Sequence, residues 1–148
     1  MAVGSDIPFV PTSDDRLKKM IELAQVKPGE KAVDLGCGDG RVIIALAKAG
    51  AEAYGYEIDK NRAEIAIKKV LEEGLSKNVH VFCQNFWDVD LRPFDIVAIY
   101  GITSIMNRLE IKLKKELKPG SRVVSNYFPF PTWEPEKKEG SVYLYRYK

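Results

Sequence analysis

The stretch that most constrains this chain is Lys31 to Arg41, K-A-V-D-L-G-C-G-D-G-R. Ala32, Val33 and Leu35 read as a short buried strand, Gly36, Gly38 and Gly40 follow at once, and V-I-I-A-L-A-K-A after Arg41 reads as a helix. A strand, a glycine-rich turn and a helix start are expected to offer backbone N–H groups and a positive dipole end to a ligand. The missing side chains let that ligand approach the main chain. Glycines alone are explained equally well by a tight turn between strand and helix. The acids separate the two readings: Asp34 precedes the glycines and Glu57 closes the next strand, a pattern that points to a ligand.

With 148 residues the chain is expected to form one domain over 1–148, including an N-terminal arm over 1–12, and to bury roughly 70% of its extended surface. Its 23 basic and 21 acidic side chains are scattered, for a net charge of +2, so no dedicated nucleic-acid-binding region is expected. No apolar run approaches the ~20 residues that span a bilayer, and M-A-V-G-S-D-I-P lacks the basic start and apolar core of a signal peptide. The two cysteines, Cys37 and Cys83, form no metal or redox pair, so the expected location is cytoplasmic. Cys37 reads as a small residue within the turn. No metal site is expected.

Along the chain, Thr12, Ser13, Asp14 and Asp15 offer helix-capping chemistry before Leu17, Met20, Ile21 and Ala24 at helical spacing. The glycine loop is followed by a helix over 40–49 and a strand over 51–57. Asn61 with Glu64 resembles a capping box and opens a helix whose apolar positions are Ala63, Ala66, Ile67, Val70 and Leu71. A third strand spans 78–84, with His80 as a partly exposed residue rather than a metal ligand. Strand four, F-D-I-V-A-I-Y over 94–100, is nearly continuous in apolar character, as central parallel strands are. A helix over 104–117 and a strand over 121–128 follow. Alternation across that strand requires one of Tyr127 and Phe128 to face the core. Residues 129–140 form a proline-bounded loop with at most a short strand near 134–139, and S-V-Y-L-Y-R-Y over 141–147 alternates like an antiparallel edge strand.

This order predicts an α/β fold: a Rossmann-like, doubly wound and mostly parallel sheet with an antiparallel C-terminal edge strand. Such sheets bind ligands outside the carboxyl ends of their strands. Gly36–Gly40, Glu57, Asn85 with Phe86, and Tyr100 all fall at those ends. An acid closing strand two suits the two hydroxyls of a ribose. A pyrophosphate asks for G-x-G-x-x-G, whereas G-C-G-D-G here carries Asp34 before it and Asp39 inside it. Carboxylates repel a pyrophosphate and suit a ligand with an ammonium group, such as S-adenosylmethionine.

D-L-G-C-G-D-G-R resembles the first motif of class I S-adenosylmethionine-dependent methyltransferases, and the strand ending in Glu57 resembles their acidic ribose motif. P-F-V-P-T-S (8–13), N-F-W-D-V-D (85–90) and S-R-V-V-S-N-Y-F-P-F-P-T-W-E-P (121–135) are similar to one narrower family of small protein-lysine methyltransferases. That family includes an archaeal broad-specificity enzyme and mitochondrial enzymes acting on the ADP/ATP translocase and on the c ring protein of the ATP synthase. The resemblance runs from about residue 8 to 147.

The resemblance implies that Thr12 and the loop Gly36, Cys37, Gly38, Asp39 and Gly40 hold the methionine moiety, with Asp34 near its ammonium. It implies Glu57 on the ribose, Ile58 packed on the adenine, and Asn85 and Phe86 at the adenine's edge and face. Tyr100, Ser125, Asn126 and Trp133 would line the opening where the methyl meets its acceptor, and Tyr127 and Phe128 offer further aromatic walls. The implied partner is a protein with an accessible lysine. The aromatic-rich end serves a dimer contact equally well, so the oligomeric state stays open. A-I-Y-G after strand four lacks the Asn-Pro-Pro-Tyr type motif of the adenine- and glutamine-modifying branches. E-P-E-K-K-E before Gly140 is more compact than the family's hairpin, which suggests a reduced substrate side. The competing expectations are a small-molecule or RNA methyltransferase, a non-catalytic S-adenosylmethionine binder and, more distantly, an NAD-type dehydrogenase. Glu57→Ala is expected to weaken cofactor binding and leave the fold intact.

Overall fold

The computed structural model describes residues 11–148, so the arm expected over 1–12 lies outside the described residues except for Pro11 and Thr12. The chain runs α1 (Asp14–Ala24), β1 (Lys31–Leu35), α2 (Arg41–Lys48), β2 (Glu52–Tyr56), α3 (Lys60–Glu72) and β3 (Val79–Phe82). It continues through a 3₁₀ turn (Phe86–Asp88), β4 (Ile96–Ile99), α4 (Thr103–Glu116), β5 (Arg122–Asn126), β6 (Lys137–Glu139) and β7 (Val142–Arg146). The seven strands form one sheet in the order β3-β2-β1-β4-β5-β7-β6. The pairs from β3 to β5 are parallel, and β7 pairs antiparallel with both β5 and β6.

The antiparallel edge expected at the C-terminus is thus a hairpin, with β6 outermost and β7 between it and β5. The compact E-P-E-K-K-E segment builds that hairpin, with Glu136 N–H donating to the Leu144 carbonyl at 2.7 Å. Strand order reverses between β1 and β4, which opens a crevice at their carboxyl ends.

Each face of the sheet carries its own apolar cluster. Met20, Leu23 and Ala24 of α1, Ile43 and Leu46 of α2 and Val70 of α3 pack with Ala32, Ile96, Ala98 and Val124 on one side. Leu109 and Leu113 of α4, with Phe86, Leu91 and Phe94, pack with Val33, Val97, Ile99 and Val123 on the other. All four residues of β4 are buried, because both its faces are covered.

Three local readings are corrected. Helix α3 starts two residues earlier than Asn61–Glu64 suggests: Asp59 is its N-cap and accepts from the Arg62 N–H at 3.1 Å. Its buried face is also narrower, since Ala63, Ala66 and Val70 are buried while Ile67 and Leu71 are 50% and 68% exposed. The reason is close approach: a Cβ on Gly40 would sit 3.1 Å from the Ala66 Cβ, so only small residues fit there. Finally, β5 stops at Asn126, and Tyr127 takes a left-handed φ of 80°, so strand alternation no longer governs Tyr127 and Phe128.

Gly55 of β2 supports the loop from behind. A Cβ there would lie 2.7 Å from Cys37 Sγ and 2.9 Å from Ile43 Cδ1. Gly55→Ala is therefore expected to destabilise the fold by about 1–3 kcal/mol through overpacking, which urea denaturation measures.

Candidate functional site

A cavity opens at the carboxyl ends of β1, β2 and β4, at the strand-order reversal. Thr12, Asp34, Gly36, Cys37, Gly38, Asp39, Glu57, Ile58, Asn85, Phe86 and Tyr100 all border it. Eleven of the residues singled out from the sequence therefore meet in one place. Gly40 stands behind them as the N-cap of α2, with φ 90°.

The loop itself differs from expectation. The Gly36 and Cys37 N–H groups donate to the Tyr56 carbonyl at 2.9 and 3.1 Å, and the Gly40 N–H donates to the Cys37 carbonyl at 2.9 Å. The Gly38 N–H donates to Glu57 Oε1 at 2.9 Å. Even the Arg41 N–H at the start of α2 is directed to Asp39 Oδ1, at 3.3 Å. These five N–H groups are thus turned back onto the protein and are not presented to a ligand. Positive φ at Gly36, Gly38 and Gly40 permits this inward turn. Such a loop is a poor pyrophosphate cradle, which removes the physical basis for the dehydrogenase alternative.

Carboxylates dominate what remains. Asp34 is 5% exposed and borders the cavity, and no basic side chain among the described residues pairs with it. Burial, reinforced by the negative charges of Glu57 and Asp39, pushes its carboxyl well above the usual range. A cationic group entering here would relieve both effects. Asp39 behaves differently. Burial works against its charge, but hydrogen bonds from Arg41 and Lys69 prevail and bring it down to about 2. Its Oδ2 lies 2.8 Å from Arg41 Nη2 and 3.2 Å from Lys69 Nζ. Arg41 also donates to the Thr12 carbonyl at 2.8 Å, tying the N-terminal segment to the loop.

Glu57 is buried and held by two backbone donors. Besides Gly38 on Oε1, the Asp59 N–H donates to Oε2 at 2.9 Å, and Arg62 Nη1 approaches Oε2 at 3.9 Å. This fixes the carboxylate and leaves its outer lone pairs for a pair of hydroxyls. Ile58, 37% exposed, and Phe86, buried, add apolar surface to the cavity lining. Asn85 caps the 3₁₀ turn, accepting from the Trp87 N–H at 3.0 Å. The site accordingly fits a ligand with an ammonium, a ribose and a flat apolar base.

Cys37 is a packing residue of the loop, its thiol pushed up by burial and then by Asp34. Cys83 is exposed, and iodoacetamide is expected to alkylate it in the native state while sparing Cys37 until unfolding, as peptide mass mapping would reveal.

Of the four residues expected at the acceptor opening, only Tyr100 borders the cavity. Ser125 is fully buried and donates to the Phe128 carbonyl. Asn126 is also fully buried: its amide donates to Thr12 Oγ1 at 3.3 Å, and its carbonyl oxygen accepts from Arg16 at 3.1 Å. Trp133 lies elsewhere, its ring centroid 5.1 Å from Tyr145 and 5.5 Å from Phe130, beneath Lys114 of α4. Hydrogen bonds from Thr132 to Glu110 of α4 hold its loop over the sheet face, so aromatic packing accounts for it. Among the further residues that line the cavity, Arg41, Tyr56 and Arg62 carry no signal of the kind used above. Arg41 stands two places after Asp39 in the motif, where a salt bridge could have been anticipated. Tyr56 contributes through its carbonyl, which no side-chain pattern signals.

The chain is similar to several known proteins. The family model described as "ANTKMT methyltransferase domain" matches residues 34–137. A protein-lysine N-methyltransferase of Saccharolobus islandicus is 36% identical, the match covering 98% of this chain and 96% of that protein. The adenine nucleotide translocase lysine N-methyltransferase of Mus musculus is 37% identical over 87% of this chain, which spans only 56% of that enzyme's length. Among solved structures, an RNA methyltransferase of Salinibacter ruber in complex with S-adenosyl-L-homocysteine superposes with a TM-score of 0.86 at 31% identity, covering 93% of this chain and 92% of that one. No described helix is long and apolar enough to cross a membrane. The doubly wound sheet, the acid-lined cavity at its switch point and these relatives together establish that the chain belongs to the ANTKMT methyltransferase family and is an S-adenosylmethionine-dependent methyltransferase.

Proposed function

We propose that this enzyme methylates lysine side chains of proteins, and that the cavity residues divide the cofactor between them as follows. Asp34 and the oxygen-rich side of the loop receive the ammonium, with Thr12 beside it. Glu57 accepts from the two ribose hydroxyls, while Ile58, Asn85 and Phe86 enclose the adenine. Asp39 contributes through the loop it braces, because its own carboxylate is engaged by Arg41 and Lys69. When bound, S-adenosylmethionine supplies an electrophilic methyl group on a sulfonium centre.

The observation that carries the acceptor assignment is the aromatic exit from this cavity. Tyr100, at the end of β4, borders the cavity and stacks on Tyr127 with centroids 5.9 Å apart. Such walls suit the aliphatic stem of a lysine and limit hydration of its amine, and alignment with the methyl group carries much of the rate. Burial, with Tyr127 adding to it, raises the Tyr100 hydroxyl above its ordinary range. Tyr100 therefore remains protonated at neutral pH and acts as a wall and donor, not a base. The amine must arrive neutral, having lost its proton to water. Methylation of protein lysine is also what the name of the Saccharolobus relative states for that protein, and lysine methylation what the name of the mouse relative states.

RNA methylation is the second reading, favoured by the description of the Salinibacter relative. Against it stand the carboxylates that border or adjoin the cavity, Asp34, Glu57 and Asp59. A phosphate backbone would meet repulsion there. Incubating the enzyme with methyl-labelled S-adenosylmethionine and whole-cell extract, then separating protein from RNA, tests the choice. Label in the protein fraction is expected; label in RNA alone would overturn the assignment.

A further inference from the structure

Outside the cofactor cavity, the most unusual arrangement among the described residues is at Arg16 of α1. Its guanidinium carbon lies 3.8 Å from the centroid of the Tyr127 ring, and its Nη1 donates to the buried Asn126 carbonyl oxygen at 3.1 Å. Asn126 in turn donates to Thr12, which borders the cavity. Tyr127 is held in a left-handed conformation, φ 80°, which a bulky residue adopts only under constraint. Its N–H is fixed by the Ser141 carbonyl at 2.7 Å. Tyr127 is 46% exposed and stacks on Tyr100, the residue that faces the cavity.

Two consequences follow from this geometry. The face of Tyr127 that could hold an incoming ammonium by cation–π attraction is already covered by a guanidinium. And no carboxylate among the described residues forms an ion pair with Arg16, so its charge is not locally cancelled. That charge reaches the cavity side, where it opposes burial and Tyr127 by favouring the ionised form of the Tyr100 hydroxyl. A lysine approaching along Tyr100 and Tyr127 therefore meets a fixed cation instead of an aromatic cage.

We propose that Arg16 is a positioning residue whose fixed charge beside the Tyr100–Tyr127 exit disfavours the protonated form of the arriving lysine, so that it is delivered as the neutral, nucleophilic amine. The inference rests on the lysine reading above. Like charge at short range lowers the pKa of an amine, and free lysine at about 10.4 needs such help near neutral pH. The groups facing Arg16 are Tyr100 after β4, Asn126 and Tyr127 at the end of β5, Asp15 and Lys19 on its own helix, and Glu139 of β6. Lys19 acts in the same direction, whereas Asp15 and Glu139 act against it from a shallow depression on the protein surface.

The test uses the full chain with saturating methyl-labelled S-adenosylmethionine and, as acceptor, the single protein that takes up most lysine label in host extract, purified, following label into lysine against pH. At saturating acceptor, kcat reports groups in the bound complex. Arg16→Gln is expected to move the rising limb of kcat about one pH unit upward, lowering kcat about tenfold at neutral pH, while KM stays level or falls. Arg16→Lys, which keeps the charge, is expected to retain the wild-type limb. Superimposable wild-type and Arg16→Gln limbs, in variants that bind S-adenosylhomocysteine as wild type does, would overturn the proposal and leave the lysine reading standing. A wild-type enzyme that binds cofactor yet never labels lysine would overturn both.

Discussion

Replacing Glu57 by alanine is expected to weaken S-adenosylhomocysteine binding about a hundredfold, measured by isothermal titration calorimetry. At the low end of their range, two hydrogen bonds from ribose hydroxyls to an ionised carboxylate are worth about 3 kcal/mol together, and about 2.7 kcal/mol is a factor of a hundred. The structure adds a consequence that the sequence does not suggest. Glu57 also accepts from the Gly38 and Asp59 N–H groups, one at the glycine loop and one at the N-cap of α3. Glu57→Ala removes both acceptors and is expected to cost about 1–3 kcal/mol of stability, so the fold is not left untouched. Glu57→Gln is no milder. With a backbone donor on each oxygen, an amide must turn its NH₂ group toward Gly38 or Asp59, setting donor against donor. Unchanged affinity in a folded Glu57→Ala protein would remove Glu57 from the ribose role.

Asp34→Asn is expected to have opposite effects on binding and stability. Removing a carboxylate that faces an ammonium is expected to reduce cofactor affinity at least ~10-fold, the scale of one charge-assisted hydrogen bond. Yet the folded protein gains, because burial first, then Glu57 and Asp39, make the Asp34 charge unfavourable. The direction with pH follows from linkage. A folded-state pKa raised above the unfolded value of 3.8 means that the folded chain holds its proton where the unfolded chain has released it. Stability from this group is present in full below 3.8 and is lost as pH rises through the raised folded value. A neutral amide at this position never undergoes that loss, so the variant's melting temperature is expected to exceed that of wild type increasingly with pH across this window. For a chain of this length the scale is ~2–4 °C per kcal/mol. The same linkage makes cofactor binding to wild type release a proton, so its affinity is expected to rise with pH. A variant melting below wild type at pH 8 would show that Asp34 is compensated by a partner.

The architecture was legible because β4 and the Lys31–Arg41 stretch are strongly patterned: a strand buried on both faces and a strand–glycine–helix unit admit few alternatives. The location of the acid-lined cavity was legible for the same reason, since the order of strands and helices sets where their carboxyl ends converge. Hidden from view were features set by backbone direction. Nothing in G-C-G-D-G reveals that Gly36, Cys37 and Gly38 aim their N–H groups at Tyr56 and Glu57 instead of at a ligand. The helix-start signal at Asn61 was outcompeted by Asp59, which lies one residue before the first helical turn.

The acceptor side was less legible. Ser125 and Asn126 are buried because β5 is covered on both faces, and Trp133 is drawn away by Phe130, Tyr145 and Tyr147. The place of Tyr127 was hidden because its left-handed backbone breaks the alternation by which a strand residue is judged. Arg16 sits among exposed charges on α1, and only the folded chain brings it over a tyrosine far along the sequence.

The most direct measurement is to locate the methyl groups that this enzyme adds. Wild-type protein, labelled S-adenosylmethionine and host protein extract are incubated together, and modified peptides are mapped by mass spectrometry, with Asp34→Asn and Glu57→Ala in parallel. Methyl groups on lysine side chains, lost or strongly reduced in both variants, are the expected result. Methylation confined to other residues or to RNA, or lysine methylation undiminished in the two variants, would contradict it.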